Sequence, residues 1–216
     1  MISLYNMACI IRIDGRELKV NSGANLLWTA LDNGIYIPNL CSIRDRQKPA
    51  ASCRLCYVEI EGRPQPVTAC TECVADGMVI TTDSPRIHRL RKFSFDLLLS
   101  RHHVNCNDCI KNRNCTLQQI AHAQHFKILA KRFKRIETNL PADISHAKFN
   151  FDPNKCVLCG KCVYACHQEG TGVLDFAYRG IDTRISTFTG MPLAETDCNS
   201  CLKCVSVCPT GSLYEK

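Results

Sequence analysis

The apolar and polar positions in the N-terminal third of the chain predict short strands interrupted by one helix. Apolar residues alternate with polar ones on both sides of Asp14-Gly15, a dipeptide that favours a hairpin turn. Residues 24–33 then place apolar side chains at helical spacing, and Gly34 is suited to end that helix. We therefore expect a small β-rich domain in which one helix crosses a sheet.

A longer helix is predicted over residues 84–101. Ser84 is a suitable N-cap, and Pro85 fits the first helical position. Apolar residues at helical spacing should form its buried stripe: Ile87, Leu90, Phe93, Leu97 and Leu98. The basic residues of this helix are expected to face solvent or a partner: Arg86, Arg89, Arg91 and Lys92.

The C-terminal half shows weaker periodicity. Residues 116–127 predict another helix, residues 138–153 an extended linker, and residues 173–178 and 183–188 two short strands. The basic run at residues 127–135 is interleaved with apolar residues. We expect that run to pack and to contact a protein partner, and not nucleic acid.

The cysteine content adds chemistry to this outline. The chain has 17 Cys among its 216 residues. It shows no secretory signature at its N-terminus and no run of about 18 apolar residues that would span a membrane. Cysteines this dense are typical of metal ligands in a reducing compartment, so we expect a cytoplasmic metalloprotein.

Two cysteine runs near the C-terminus share the spacing C-x2-C-x2-C-x3-C. This is the spacing of bacterial ferredoxins with two clusters, in which the fourth cysteine of each run ligates the other cluster. The crossed pattern predicts one [4Fe–4S] cluster on Cys156, Cys159, Cys162 and Cys208, and another on Cys198, Cys201, Cys204 and Cys166. A disulfide framework and a pair of zinc sites are the alternatives, and two complete copies of the motif argue against both.

A third set is spaced C-x11-C-x2-C-x13-C and consists of Cys41, Cys53, Cys56 and Cys70. Plant-type ferredoxins hold a [2Fe–2S] cluster with a C-x2-C pair and a distant fourth cysteine, although their first gap is shorter. Cys73 is the alternative fourth ligand. We favour Cys70, because it ends a strand-like segment and Cys73 falls in the turn that follows. Neither Cys9 nor Cys73 is expected to bind iron.

A fourth set combines a histidine, His102 or His103, with three cysteines: Cys106, Cys109 and Cys115. The local spacing would also allow a zinc site with one histidine and three cysteines. The other cysteine sets favour a [4Fe–4S] cluster here. The sequence therefore predicts one [2Fe–2S] cluster and three [4Fe–4S] clusters.

The formal net charge of +7 points to a nucleic-acid partner only until the clusters are counted. Four oxidised clusters with their thiolates add about −7 in total, which leaves the loaded protein near neutral. We therefore expect no nucleic-acid partner.

The order of these motifs resembles a known family arrangement. It is similar to the N-terminal accessory region of [FeFe]-hydrogenases, to the start of the large iron–sulfur subunit of respiratory complex I, and to the iron–sulfur (diaphorase) subunits of NAD-linked hydrogenases and formate dehydrogenases. The resemblance covers residues 8–216. In the family, the histidine of H-x3-C ligates the cluster, which favours His102 over His103.

The resemblance implies an α+β fold with three domains. These are a β-grasp [2Fe–2S] ferredoxin domain at residues 1–83, a small helical domain at residues 84–137 whose [4Fe–4S] cluster is held by one histidine and three cysteines, and a ferredoxin-like domain with two [4Fe–4S] clusters at residues 138–216.

The resemblance also implies electron transfer without catalysis in this chain. The sequence has no dinucleotide-binding or Walker motif. Because the chain stops eight residues after Cys208, we expect the family's hydrogen-activating domain to be absent. The expected partners are a flavin subunit that reacts with NAD(P)H and a catalytic redox subunit or ferredoxin, in a hetero-oligomeric hydrogenase, formate dehydrogenase or electron-bifurcating complex. A free-standing polyferredoxin is the alternative, and the partner contact is expected around residues 167–197.

Overall fold

The structure is a computed structural model that describes residues 8–129 and 132–216. The first seven residues, and residues 130–131 of the basic run, lie outside that description. The chain divides into two compact units, Met1–Phe95 and Asp96–Lys216. The three-domain division stays a prediction. Within the described ranges, no helix is both long enough and apolar enough to cross a membrane.

The first unit contains a mixed five-stranded sheet with the strand order β2-β1-β5-β3-β4. Its strands are β1 (Ala8–Ile13), β2 (Arg16–Asn21), β3 (Tyr57–Ile60), β4 (Val67–Thr68) and β5 (Val79–Thr81). Strands β1 and β2 form the predicted hairpin around Asp14-Gly15, and β1 also pairs with β5 in parallel. This arrangement confirms the expected ferredoxin-like domain.

Helix α1 (Leu26–Asp32) packs its apolar side against the sheet. The side chain of Asn25 caps its start by accepting a hydrogen bond from the Trp28 backbone N–H at 3.3 Å. Gly34 has a φ of +75°, the left-handed conformation in which glycine ends a helix, as predicted. Leu26, Leu27 and Ala30 are fully buried, and they form one core with the inward residues of β1 and β3.

Helix α2 (Pro85–Arg101) begins where predicted, and Ser84 Oγ accepts a hydrogen bond from the Ile87 backbone N–H at 3.2 Å. Its buried stripe differs from the predicted one. Phe93 and Leu97 are exposed, whereas a stripe of residues four apart is buried: Ile87, Arg91, Phe95 and Leu99. The apolar pattern was compatible with two neighbouring stripes on the same helix, and packing selected one of them.

The expectation that Arg91 faces outward is therefore wrong. Arg91 is only 2% exposed. The guanidinium Nη2 donates a hydrogen bond to the backbone carbonyl of Tyr57 at 2.7 Å. The outward placement holds for Arg86 and Arg89, which are exposed.

The second unit is built from short elements around its cysteine runs. Its helices are α3 (Thr116–Ala123), α4 (Lys161–Gln168) and α5 (Lys203–Ser206), and its strands are β6 (Phe149–Phe151), β7 (Asp175–Ala177), β8 (Arg184–Ser186) and β9 (Leu213–Glu215). Helix α3 is four residues shorter than predicted. Strands β7 and β8 pair antiparallel, which confirms the two predicted short strands.

The segment predicted as an extended linker ends in a strand. Strand β6 pairs antiparallel with β9, so this segment is tied to the C-terminus of the chain. Asn154 also fixes the segment, because its side-chain amide donates to the Leu140 carbonyl at 2.7 Å and its Oδ1 accepts from Thr138 Oγ1 at 2.7 Å. The core of this unit lies between the two cysteine runs and includes Phe149 and Leu213.

Helices α4 and α5 occupy equivalent places in the two cysteine runs. Each begins directly after a residue in the left-handed conformation, Gly160 with a φ of 74° and Leu202 with a φ of 60°. Such a turn reverses the chain within a few residues. Cysteines of one run can therefore surround a small volume and still be followed by a helix.

Candidate metal centres

The four cysteines of the first unit come from a loop and from the ends of strands. Cys41 and Cys53 lie in the loop between α1 and β3, Cys56 directly precedes β3, and Cys70 lies in a short 3-10 turn after β4. All four are buried. The backbone N–H of Cys53 donates to Cys41 Sγ at 3.5 Å. The Ala69 N–H donates to the Cys56 carbonyl at 2.9 Å, which joins Cys56 to the residue before Cys70.

The thiols of this set lie within hydrogen-bond reach in pairs. A hydrogen bond with Cys53 lowers the pKa of Cys41 to about 5, and the same contact raises the pKa of Cys53. A hydrogen bond with Cys56 likewise lowers the pKa of Cys70, while that of Cys56 is raised. Each pair therefore loses one proton easily and holds the other. A metal cluster binds thiolates, so its binding releases the protons that remain.

Cys73 lies apart from this set. It is exposed, and its backbone forms a β-bridge with Asn25. Cys70 has polar neighbours of its own, because the hydroxyls of Ser42 and Thr68 act on its sulfur and lower its pKa further. Cys9 is a buried residue of β1, within the apolar core.

In the second unit, Cys106, Cys109 and Cys115 lie between α2 and α3. Cys115 is buried at the N-terminus of α3, and the other two are partly buried in the preceding turns. Burial raises the pKa of Cys115, and negative charge on Cys109 and Cys106 raises it further. These three sulfurs are therefore close enough to interact electrostatically.

His102 and His103 differ in their surroundings. His102 is 7% exposed, and its Nδ1 lies 2.9 Å from the backbone carbonyl oxygen of Lys155. A carbonyl only accepts hydrogen bonds, so Nδ1 carries the proton and Nε2 keeps a lone pair. Burial lowers the pKa of His102, which favours the neutral imidazole that metals bind. His103 is exposed.

Gly211 approaches the same region through its backbone. A Cβ added at Gly211 would lie 2.7 Å from Cys109 Sγ, closer than a methyl group can approach a sulfur. The backbone N–H of Thr116, which follows Cys115, donates to the Pro209 carbonyl at 3.0 Å. The segment after Cys208 is therefore packed against Cys109 and the start of α3, a relationship that the sequence motifs did not reveal.

The two C-terminal runs line two separate cavities. The first cavity is lined by four cysteines together with apolar residues: Cys156, Cys159, Cys162 and Cys208. The second cavity is lined by Cys166, Cys198, Cys201 and Cys204. Each cavity thus receives three cysteines from one run and the fourth from the other.

The cysteines that line the first cavity also interact electrostatically with one another. Burial raises the pKa of Cys162 well above its ordinary value, and negative charge on Cys156, Cys159 and Cys208 adds to the effect. Burial also raises the pKa of Cys159 to about 12. Four thiolates cannot coexist in this space without a positive counterpart, and the iron of a cluster supplies one.

Backbone N–H groups point at the sulfurs of both cavities. The Leu158 N–H donates to Cys156 Sγ at 3.4 Å, and the Leu174 N–H donates to Cys166 Sγ at 3.5 Å. Such hydrogen bonds are among the means by which a protein sets the potential of a cluster. In residues 8–129 and 132–216, no three or more His, Cys, Asp or Glu side chains converge as around a single metal ion, and the cysteines instead surround cavities.

Known families match most of the chain. Residues 7–85 match the 2Fe-2S iron-sulfur cluster binding domain, residues 91–127 match the NADH-ubiquinone oxidoreductase-G iron-sulfur binding region, and residues 155–212 match the 4Fe-4S dicluster domain. Iron–sulfur domains of both the 2Fe-2S and the 4Fe-4S kind are therefore present.

A solved structure extends the likeness to the fold. A chain of the NAD+-reducing [NiFe]-hydrogenase in its H2-reduced state is 30% identical and superposes with a TM-score of 0.87, over 96% of this chain and 87% of that one. The chain belongs to the family of iron–sulfur subunits that includes this hydrogenase chain.

Two curated relatives are longer than this member of the family. The NADPH-Fe(3+) oxidoreductase subunit alpha of Geobacter sulfurreducens is 35% identical over 95% of this chain, which spans 24% of that protein. The NADP-reducing hydrogenase subunit HndD of Solidesulfovibrio fructosivorans is 37% identical over 95% of this chain, which spans 36% of that protein. The chain thus corresponds to about a quarter to a third of these two relatives.

Proposed function

We propose that this protein is a four-cluster relay that passes single electrons between a flavin subunit reacting with NAD(P)H and a second redox subunit or ferredoxin. The observation that carries the proposal is the pair of cavities in the second unit, each lined by four cysteines from both runs. Two such cavities in one small unit fit carriers of single electrons, and a binding site for an organic substrate would need a different lining.

The proposed ligand sets follow the motifs. The [2Fe–2S] cluster is assigned to Cys41, Cys53, Cys56 and Cys70, and a first [4Fe–4S] cluster to His102, Cys106, Cys109 and Cys115. The other two [4Fe–4S] clusters are assigned to the cysteines of the two cavities. The burial of Cys70, the exposure of Cys73 and the proton on His102 Nδ1 support the choices within these sets.

The bound clusters supply the one-electron chemistry, and the residues of this chain control their environment. Apolar side chains line both cavities beside the cysteines, and the N–H groups of Leu158 and Leu174 stabilise negative charge on sulfur. We assign no catalytic residue to the chain.

The partners are proposed from the names of the relatives. The NAD+-reducing hydrogenase and the NADP-reducing hydrogenase subunit support a nicotinamide-linked, hetero-oligomeric complex. We place this complex in the cytoplasm because the 17 cysteines are typical of metal ligands in a reducing compartment. The second redox partner would be a hydrogenase, a formate dehydrogenase or a ferredoxin. The exposed apolar side chains of Tyr178, Ile181 and Phe188 support a contact around residues 167–197.

Anaerobic purification with metal analysis tests the cluster assignment. The proposal expects about 14 Fe per chain with matching acid-labile sulfide, and Mössbauer spectra with a minor [2Fe–2S] and a major [4Fe–4S] component. Stoichiometric zinc without sulfide would refute it.

Native isolation tests the subunit role. The chain should co-purify with a flavoprotein, and NADH or NADPH should reduce its clusters only when that flavoprotein is present. A brown monomer of 24.2 kDa in native extract, without a partner, would instead support the free-standing polyferredoxin.

A further inference from the structure

A buried arginine lies beside the cysteines of the first unit. Arg91 belongs to α2 and is 2% exposed. Its Nη2 donates a 2.7 Å hydrogen bond to the carbonyl of Tyr57, the residue that directly follows Cys56. The guanidinium is thereby held against the backbone that carries one of the proposed ligands.

The charge of Arg91 persists in spite of this burial. Burial lowers the pKa of Arg91 to about 10, and the negative charges of Asp83, Cys56, Tyr36 and Asp14 act in the opposite direction. A group with such a pKa is still a cation at neutral pH. Buried cations are rare unless an anion compensates them, so the surroundings of Arg91 need negative charge.

Two acidic residues, Asp83 and Asp14, act electrostatically on Arg91. Asp83 is exposed, so water screens its charge. The carboxylate of Asp14 accepts two hydrogen bonds from Thr82, one from its backbone N–H at 2.7 Å and one from its hydroxyl at 2.5 Å. Cys56, which belongs to the proposed [2Fe–2S] site, also acts electrostatically on Arg91 when its sulfur is a thiolate.

We propose that Arg91 is a resident counter-charge of the [2Fe–2S] centre and raises its reduction potential. The inference rests on the proposed ligand set. An oxidised [2Fe–2S] cluster with four thiolates carries a charge of about −2, and reduction by one electron adds one more negative charge. A fixed cation nearby stabilises the reduced form more than the oxidised form. Arginine is suited to this position because it stays protonated in proteins.

Redox titration of the whole protein, followed by EPR, tests the inference. Arg91→Gln keeps an N–H donor for the Tyr57 carbonyl and removes the charge. Arg91→Lys keeps the charge. Arg89→Gln removes an exposed charge from the same helix and serves as the matched control.

The expected result is a lower midpoint potential of the [2Fe–2S] signal in Arg91→Gln, outside the error of the titration. Arg91→Lys should retain most of the wild-type potential, Arg89→Gln should match the wild type, and the [4Fe–4S] potentials should be unchanged. Loss of the [2Fe–2S] signal in Arg91→Gln but not in Arg91→Lys would also support the role of the charge.

Two results would overturn the inference. One is an intact [2Fe–2S] signal in Arg91→Gln at the wild-type potential. The other is an equal shift, or an equal loss of signal, in Arg91→Gln and Arg91→Lys, because Arg91 would then act through its shape and hydrogen bond. A wild-type protein without a [2Fe–2S] signal would contradict the proposed function itself, which separates the two failures.

Discussion

His102 donates a hydrogen bond from Nδ1 to the backbone carbonyl of Lys155 at 2.9 Å. Thr210 Oγ1 donates to the same carbonyl, also at 2.9 Å. Lys155 directly precedes Cys156, the first cysteine of the next run. The residue that orients the proposed histidine ligand is therefore part of the chain segment that begins the neighbouring cysteine site. A hydrogen bond of this kind fixes both the tautomer and the direction of a ligating imidazole.

His102→Ala should remove one [4Fe–4S] cluster and leave the others. The physical reason is that Nε2 of His102 is the nitrogen free to bind iron, because Nδ1 is engaged by Lys155. Iron content should fall by roughly four atoms per chain, or by roughly one if a three-iron cluster remains. His103→Ala is the matched control, since His103 is exposed, and it should leave iron content and EPR spectra unchanged. Loss of a cluster in His103→Ala alone would reverse the assignment.

Cys166→Ser should damage the cluster of the second cavity and not that of its own run. Cys166 lines the cavity formed by Cys198, Cys201 and Cys204. Cys156→Ser is the comparison variant, because Cys156 belongs to the same run but lines the other cavity. EPR of the two reduced variants should show the loss of different [4Fe–4S] signals. Loss of the same signal in both variants would mean that ligation is not crossed.

Cys70→Ser should remove the [2Fe–2S] signal, whereas Cys73→Ser should retain it. Cys70 is buried against Cys56, while Cys73 is exposed on the neighbouring turn. Visible circular dichroism and EPR of the two purified variants provide the measurement. If Cys73→Ser loses the signal and Cys70→Ser keeps it, the fourth ligand has been assigned to the wrong cysteine.

Gly211→Ala should specifically disturb the site proposed for His102 and its three cysteines. The added methyl group would meet Cys109 Sγ at 2.7 Å, and overpacking of this kind costs about 1–3 kcal/mol. The expected result is a lower unfolding midpoint together with an altered or lost signal from one [4Fe–4S] cluster.

Gly15→Ala is the control for this prediction. Gly15 has a φ of +80° and no atom within 4 Å of the added Cβ, so its replacement should cost about 1 kcal/mol in strain and leave every cluster signal unchanged. Equal cluster spectra in both variants would show that the close approach has no bearing on the site.

Local rules accounted for the elements whose determinants lie close together in sequence. The hairpin at Asp14-Gly15, the N-cap at Ser84 and the end of α1 at Gly34 each depend on a few neighbouring residues, and the structure confirms all three. Helix α3 ends four residues before its predicted end, because the apolar pattern continues past the last helical residue, Ala123. Phe126 is buried although it lies beyond the helix.

The sequence by itself determined the kinds of cluster site, because the spacing of thiolates in a short loop is set by local geometry. Only the tertiary structure decided which residues surround those sites from a distance. It buried Arg91 next to the strand after Cys56, set Gly211 against Cys109 and directed His102 toward Lys155. These contacts join residues far apart in the chain. Their partners depend on how helices and loops pack, and the order of amino acids along one segment carries no record of that packing.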